Sequence, residues 1–319
     1  MLNQMRHSTN MLSFVIPAKN EEGSVEELYK QIVANIPSGY SSWEIIYIDD
    51  GSTDKTYEII KKLHKSDSRV KAVRHRGNFG KSMALQAGFE HAKGDIIFTL
   101  DADLQDNPKE IPHFLNKLQE GYDLVSGWKK VRHDPPSKVI PSRIFNKAVT
   151  VLTGVKVHDT NCGYKAYRRE VVQTLNLYGE LYRFIPIFAA KQNFRVGEIV
   201  VEHRARKSGK SKFGVGRNIK GFLDLLTIVF ITGYLRRPGH FFGFFGIIAS
   251  FIGFIIGLYI TYLRVTTGSI QYRHPLLYLG ILLIIVGVQL ITTGLIAELI
   301  VSYNQRGQST KSNIKEVLK

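Results

Sequence analysis

Ile96-Ile97-Phe98-Thr99-Leu100-Asp101-Ala102-Asp103 is a short apolar run that ends in two carboxylates one residue apart. Such a run, bounded by polar residues, reads as a buried strand. The acid pair then projects from its carboxyl end, the edge at which open α/β sheets bind ligands. Asp101, Asp103 and the nearby Gln105 are hard oxygen ligands suited to Mg²⁺ or Mn²⁺, ions commonly held by a few carboxylates together with substrate phosphates. A calcium loop of EF-hand type is excluded, because its sixth position should be Gly and its twelfth Glu, and here they are Asp106 and Pro112. The competing reading is a solvated acidic turn leading into a helix capped near Asn107 and Pro108. Other segments must decide between them.

Around that strand, short β-branched runs alternate with helical patterns, the signature of a doubly wound parallel sheet. Strands are expected at Leu12 to Ile16, Glu44 to Ile48, Val70 to Arg74, Ile96 to Leu100 and Tyr122 to Ser126. Ser24 and Glu27 form a capping-box pattern ahead of a helix over Val25 to Ile36, and Lys81 to Ala92 carries apolar residues at helical spacing. No G-x-G-x-x-G follows the first strand and no G-x-x-x-x-G-K-[ST] occurs, so neither the dinucleotide fold nor the P-loop is indicated. The strands end instead in Lys19-Asn20-Glu21, in Asp49-Asp50-Gly51-Ser52-Thr53-Asp54 and in Asp101-Ala102-Asp103. Three polar strand ends converge on one edge.

The C-terminal third is of another kind. Phe241 to Leu263 and Leu276 to Ala297 are uncharged and apolar around their whole circumference. Each reaches the roughly 20 residues needed to cross a bilayer, so a two-span hairpin is expected, with helices near 241–263 and 276–300. Met1 to Asn10 is polar and no signal peptide is recognisable, which leaves the N-terminal domain in the cytosol. Arg236 and Arg237 before the first span, and Arg306, Lys311 and Lys315 after the second, favour cytosolic ends. Arg264 and Arg273 in the connection weaken that signal without reversing it.

The net charge of +16 is unevenly spread. Residues 1–122 carry 15 Lys and Arg against 17 Asp and Glu, residues 123–240 carry 22 against 8, and the remainder 6 against 2. Nearly all the excess therefore lies just before the membrane, where it favours lipid headgroups and phosphorylated substrates over nucleic acid. The region from Trp128 to Arg237 is expected to be richer in loops. Within it, Ile219 to Tyr234 reads either as an amphipathic helix in the membrane interface or as a core helix. Cys162 is the single cysteine and cannot form an internal disulfide. The histidines show no metal-ligand spacing, and Trp128 fits core packing better than sugar stacking.

In order along the chain, Val15-Ile16-Pro17-Ala18-Lys19-Asn20-Glu21, Asp49 to Asp54, Asn78-Phe79-Gly80-Lys81, Asp101-Ala102-Asp103-Leu104-Gln105 and Arg206-Lys207-Ser208-Gly209-Lys210-Ser211-Lys212 resemble the inverting family-two glycosyltransferases of the GT-A fold. Within them, the resemblance is to the polyprenyl-phosphate glycosyltransferases and covers about residues 12 to 215. It implies an α/β, mostly parallel Rossmann-like sheet with helices on both faces, in a cytosolic domain over 1–217. A juxtamembrane helix over 218–238, the hairpin over 239–304 and a polar cytosolic tail over 305–319 complete the expected organisation.

The same resemblance assigns Pro17, Asn20, Glu21, Asp49, Asp50, Lys81, Asp101 and Ala102 to the nucleotide, and Asp101, Asp103 and Gln105 to Mg²⁺ or Mn²⁺. Arg206, Ser211 and Lys212 match a basic loop over the donor diphosphate, with Arg206 and Lys212 stabilising the leaving group alongside Asp103. Arg143, Lys165, Arg168 and Ser211 are candidates for the acceptor phosphate. Lys165 follows Tyr164 where many relatives carry Phe-Arg, and a lysine cannot form the bidentate fork of an arginine. Asp159 is either a general base beside the acceptor or a loop cap on the Asn161 or Cys162 amide.

The implied reaction moves one sugar, UDP-glucose being the first donor to expect, onto undecaprenyl phosphate at the cytosolic leaflet of the cell membrane. Mostly it requires stabilising the departing phosphates. The lipid phosphate is expected to ionise near pH 6 by analogy with other monoesters, which weakens the need for a strong base. A homo-oligomer such as a tetramer is in keeping with the resemblance, and Gly243, Gly246, Gly253 and Gly257 offer faces for helix contact. Rival readings are a processive polysaccharide synthase, for which no Gln-x-x-Arg-Trp stretch is present, and a non-catalytic protein that binds anionic lipid.

Overall fold

The computed structural model describes residues 11–130, 146–204, 238–270 and 272–306. The chain divides into two units, Met1–Leu226 and Thr227–Lys319.

In the first unit, β1 (Leu12–Ala18), β2 (Trp43–Asp49), β3 (Val70–Arg74) and β4 (Ile96–Thr99) are mutually parallel. Helices α1 (Val25–Asn35), α2 (Thr56–Ser66), α3 (Lys81–His91) and α4 (Ile111–Gln119) connect and follow them. Near-continuous apolar strands suit a parallel sheet covered on both faces. Because side chains alternate along a strand, Leu12, Phe14 and Ile16 join Ile45, Tyr47 and Phe98 in one cluster with α1, α2 and α4, and Phe14 stacks on Phe98 at 5.1 Å. Val15 and Ile48 point the other way, towards α3. That helix comes close because Gly88 lacks a side chain: an added Cβ would meet Val15 Cγ1 and Ile48 Cδ1.

The sheet has seven strands in the order β3-β2-β1-β4-β6-β5-β7, with β5 (Leu124–Trp128), β6 (Lys165–Arg168) and β7 (Val196–Val200). Neither β6 nor β7 is among the strands expected from sequence. The region after Trp128 also holds α5 (residues 146–153), α6 (Arg169–Gln173) and α7 (Ile185–Lys191). β6 runs antiparallel to both neighbours, placing Lys165 opposite Thr99 and Arg168 opposite Ile96. One end of β6 therefore lies at the ligand edge of the sheet, and the other at the far edge. The expected capping box is not formed. Ser24 precedes α1, but its hydroxyl donates back to the Glu21 carbonyl at 3.1 Å, and Glu27 accepts from Gln31 instead. Local backbone acceptors of this kind compete with caps for serine hydroxyls.

The second unit contains α8 (Pro238–Thr267) and α9 (His274–Arg306), both long and apolar enough to cross a membrane. Only 11% and 17% of their most apolar windows are buried, whereas the core helix of a soluble protein is mostly buried. Close packing between them rests on glycines spaced seven apart, Gly239, Gly246 and Gly253 on α8 and Gly280, Gly287 and Gly294 on α9. A Cβ on Gly246 would stand 2.6 Å from the Gly287 carbonyl, and one on Gly253 2.6 Å from that of Gly280. Small residues permit such backbone approach. Of the glycines expected to mediate contact, Gly246 and Gly253 face α9, whereas Gly243 and Gly257 have nothing within 4 Å. The single acid of α9, Glu298, accepts the Gly239 amide at 3.0 Å and so satisfies an otherwise orphaned amide at the start of α8. Gly287→Leu is expected to force the pair apart at a cost of about 1–3 kcal/mol, the usual scale of overpacking. A lowered unfolding midpoint in detergent, against an unchanged one for Gly257→Leu, checks this.

Candidate active site

The parallel strands end together. Ala18 pairs with Asp49 and Asp49 with Arg74, and the ladder continues where the Asp50 amide donates to the Ala18 carbonyl at 2.9 Å and the His75 amide to Asp49 at 2.9 Å. The loops beyond are clipped to each other. The Asn20 amide donates to Ser52 Oγ at 3.0 Å, the Thr53 amide to Asn20 Oδ1 at 2.8 Å, and the Glu21 amide to Thr56 Oγ1 at 2.8 Å. Asn20 holds this loop in the left-handed region, with φ 52°. Asp49 is fully buried. Its Oδ1 accepts the Ser52 amide at 3.1 Å, and Arg74 Nε stands 3.2 Å from Oδ2, near enough to pair as ions without alignment as a hydrogen bond. Asp50, expected at the nucleotide, spends its carboxylate on the chain itself. It accepts the Phe79 and Gly80 amides, each at 2.9 Å, and pairs with His75 Nδ1 at 2.9 Å.

Asp101 sits among three lysines. Lys81, the first residue of α3, pairs directly with its Oδ1. Burial alone would push the Asp101 carboxyl up, but Lys81, then Lys129 and Lys165, outweigh it and hold it below its ordinary value. Burial likewise works against the Lys81 ammonium, and Asp101, with Tyr182 and Asp106, more than reverses that. Asp106, wholly buried, accepts the Asp101 amide at 3.3 Å and stands 2.9 Å from Lys129 Nζ, whose side chain is 13% exposed. Asp103 accepts the Gln105 amide at 3.2 Å, a bond helped by the positive φ of Leu104. Asn107 caps the 3₁₀ turn Pro108–Glu110 by accepting the Lys109 amide, as the acidic-turn reading anticipates.

Among the described residues no three His, Cys, Asp or Glu side chains group closely enough to hold a metal ion by themselves. Two hard carboxylates at the mouth, one already holding a cation in the form of Lys81, nonetheless fit Mg²⁺ or Mn²⁺ of the kind completed by substrate phosphates. Gln105 fits less well. Its Nε2 is 3.3 Å from His203 Nε2 and 3.4 Å from the Arg204 carbonyl, so its carboxamide ties the turn to the segment after β7.

Because β6 begins beside Thr99, the residues before it close over Asp101. Thr99 Oγ1 donates to the Gly163 carbonyl at 2.7 Å, and a Cβ on Gly163 would lie 2.7 Å from Asp101 Oδ1. A side chain there would push the carboxylate aside. Asp159 is buried, and its Oδ1 accepts the Asn161 amide at 3.1 Å, which is the loop-capping arrangement. Its loop is braced from three sides. Glu198 on β7 accepts the His158 amide and Nδ1 at 2.9 and 2.7 Å, Asn146 donates to the His158 carbonyl at 2.8 Å, and Trp128 stacks on the His158 ring at 4.2 Å.

Two expectations for the acceptor phosphate do not hold. Arg168 lies at the opposite edge of the sheet, its guanidinium donating to the Tyr122 and Leu118 carbonyls at 3.2 and 3.0 Å, because β6 runs against β4. Lys165 is on the correct edge but buried, and it donates to the Cys162 carbonyl; burial lowers its ammonium below the ordinary lysine range. Arg143, Arg206, Ser211, Lys212 and the stretch from Ile219 to Tyr234 lie outside the described residues. Sequence reasoning missed Lys129, Asp106 and Glu198. Lys129 carried a usable signal, since it follows a strand at the ligand edge; Asp106 and Glu198 gain meaning only from distant partners. Cys162 is buried and its thiol is pushed up to about 12, chiefly by burial. It therefore stays protonated at pH 8, and a disulfide reagent is expected to label it only in denaturant, as a colorimetric thiol count would show.

Residues 13–175 match the family model described as glycosyl transferase family 2. The chain is 38% identical over 308 residues to the dodecaprenyl-phosphate galacturonate synthase of Rhizobium johnstonii, covering 95% of this chain and 91% of that protein. It is 39% identical over 302 residues to the undecaprenyl-phosphate 4-deoxy-4-formamido-L-arabinose transferase of Shewanella sediminis, covering 93% and 89%. In fold it is similar to glucosyl-3-phosphoglycerate synthase of Mycobacterium tuberculosis, solved with Mn²⁺, uridine diphosphate and phosphoglyceric acid, at TM-score 0.55 and 21% identity over 70% of this chain and 79% of that one. With a GT-A sheet, an acid pair at the end of its fourth strand and relatives aligned along nearly its whole length, the chain belongs to glycosyl transferase family 2.

Proposed function

We propose that this protein transfers one glycosyl unit, with inversion, from a nucleotide sugar to the phosphate of a membrane polyprenyl phosphate. The observation that carries the reading is Asp101, held at the carboxyl edge of the sheet with three lysines around it, in a chain that also bears two helices able to cross a bilayer. Both relatives above are named for polyprenyl-phosphate sugars, which supports that acceptor. On this reading the catalytic unit and both chain ends face the cytosol.

Pro17, Asn20, Glu21 and Asp49 line the strand ends that receive the nucleotide. Asp101 and Asp103 hold Mg²⁺ or Mn²⁺, which when bound neutralises charge on the donor diphosphate. Lys81 and Lys129 add positive charge beside it, and Arg206 and Lys212 are proposed to add more. As the anomeric carbon parts from the diphosphate, Lys81, Lys129, Arg206 and Lys212 would stabilise the charge left behind. The acceptor phosphate is already ionised near neutral pH, so Asp159, capping its loop, need not remove a proton; it orders the segment beside Asp101. Arg143 and Ser211 remain the residues proposed for the acceptor.

UDP-glucose is the first donor to test. The 38% identity to a galacturonate synthase makes UDP-galacturonate the second. Purified protein with undecaprenyl phosphate, Mn²⁺ and each radiolabelled donor tests the proposal. Label in the lipid extract with one donor supports it. Lipid binding without transfer from any donor favours the non-catalytic reading, and long polymer favours a processive synthase.

A further inference from the structure

A carboxylate meant to hold a cation already holds one, and the Lys81–Asp101 pair is built to be exchanged. Lys81 opens α3 just after Gly80, whose φ of 88° turns the chain sharply into the helix. Its backbone is fixed from behind by Asp50, which takes the Phe79 and Gly80 amides, while the long side chain keeps its reach. The ammonium also lies 5.0 Å over the ring of Tyr182, within the range of cation–π attraction. That ring is tied to the same turn of α3, because the Tyr182 amide donates to Ser82 Oγ at 3.1 Å. Lys81 thus has two neighbouring stations, the Asp101 carboxylate and the Tyr182 face. Its fellow lysines do not: Lys129 stands against buried Asp106, and Lys165 is engaged by the Cys162 carbonyl. A divalent ion on Asp101 is the largest local charge and repels an ammonium from the same oxygens.

We propose that Lys81 is the internal counter-ion of the cation site, occupying Asp101 in the ligand-free chain and displaced by the divalent cation towards Tyr182 and the donor phosphates. The inference rests on the transferase reading above and deepens it. Cation and lysine compete for one carboxylate, while the released lysine favours the diphosphate, so cation and donor each strengthen the other's binding.

The test is a Mn²⁺ titration of the full chain in detergent, followed by electron paramagnetic resonance, for wild type, Lys81→Met and Lys81→Gln, without nucleotide. Both variants should bind Mn²⁺ about tenfold more tightly than wild type, a change equal to about 1.4 kcal/mol. A lysine that merely supports the site would, when removed, loosen Mn²⁺ binding. Unchanged or weaker binding in whichever variant folds, judged by circular dichroism, overturns the inference while leaving the transferase reading intact. Absence of Mn²⁺ binding by all three chains overturns the cation site and the inference together.

Discussion

Asp101→Asn is expected to lower glycosyl transfer about a thousandfold while leaving the chain folded, the scale on which removal of one preorganised electrostatic contact acts. The carboxylate sits at the end of β4, held by Lys81 on one side and by the Asp106-braced amide on the other. Asparagine keeps the shape and removes the charge. Both a bound cation and the surrounding lysines then lose the anion that organises them, and Lys81, Lys129 and Lys165 are left in excess. Lipid-extractable label per unit enzyme, with circular dichroism as control, measures the effect. Asp103→Ala belongs to the same experiment and is expected to act in the same direction. Near wild-type transfer in either variant would remove the acid pair from the mechanism.

Lys129→Met is expected to act on stability more than on chemistry. Asp106 has no exposed surface, and Lys129 is the cation 2.9 Å from it. Removing one partner of a buried ion pair leaves the other uncompensated and typically costs about 3–5 kcal/mol. Because Asp106 also accepts the Asp101 amide, the acidic turn should loosen with it. Asp106→Asn in the same chain removes the stranded charge, so the double variant should recover much of the loss. Chemical unfolding of the single and double variants closes the cycle, and losses that simply add would show that the pair is not coupled.

The parts of the fold legible in the sequence are those written in local pattern. β1, β2 and β4 are largely apolar runs ended by polar clusters, and the acid pair reads as a strand terminus because Ile96 to Thr99 leaves little else for it to be. The paired helices of the second unit declare themselves by length and composition. What escaped is non-local. β6 is four residues, Lys-Ala-Tyr-Arg, with charge at both ends, and its strand character comes from lying between β4 and β5 rather than from its own propensity. Once it is placed antiparallel, Lys165 and Arg168 fall on opposite edges, which sequence spacing alone could not separate. Asp50 shows the same limit at the site. Its place after β2 suggests a ligand contact, whereas the amides of Phe79 and Gly80, some thirty residues on, claim it. Gly163 is quiet in the sequence and telling in space, since only its position against Asp101 shows that a side chain there would displace the carboxylate.

The central claim is that a sugar, and not a sugar phosphate, is joined to an existing lipid phosphate. Mass spectrometry of the lipid product formed from undecaprenyl phosphate, Mn²⁺ and the active donor tests it most directly. The account expects the acceptor mass increased by one glycosyl residue alone, with nucleoside diphosphate released. A product carrying an additional phosphate, with nucleoside monophosphate released, would contradict it.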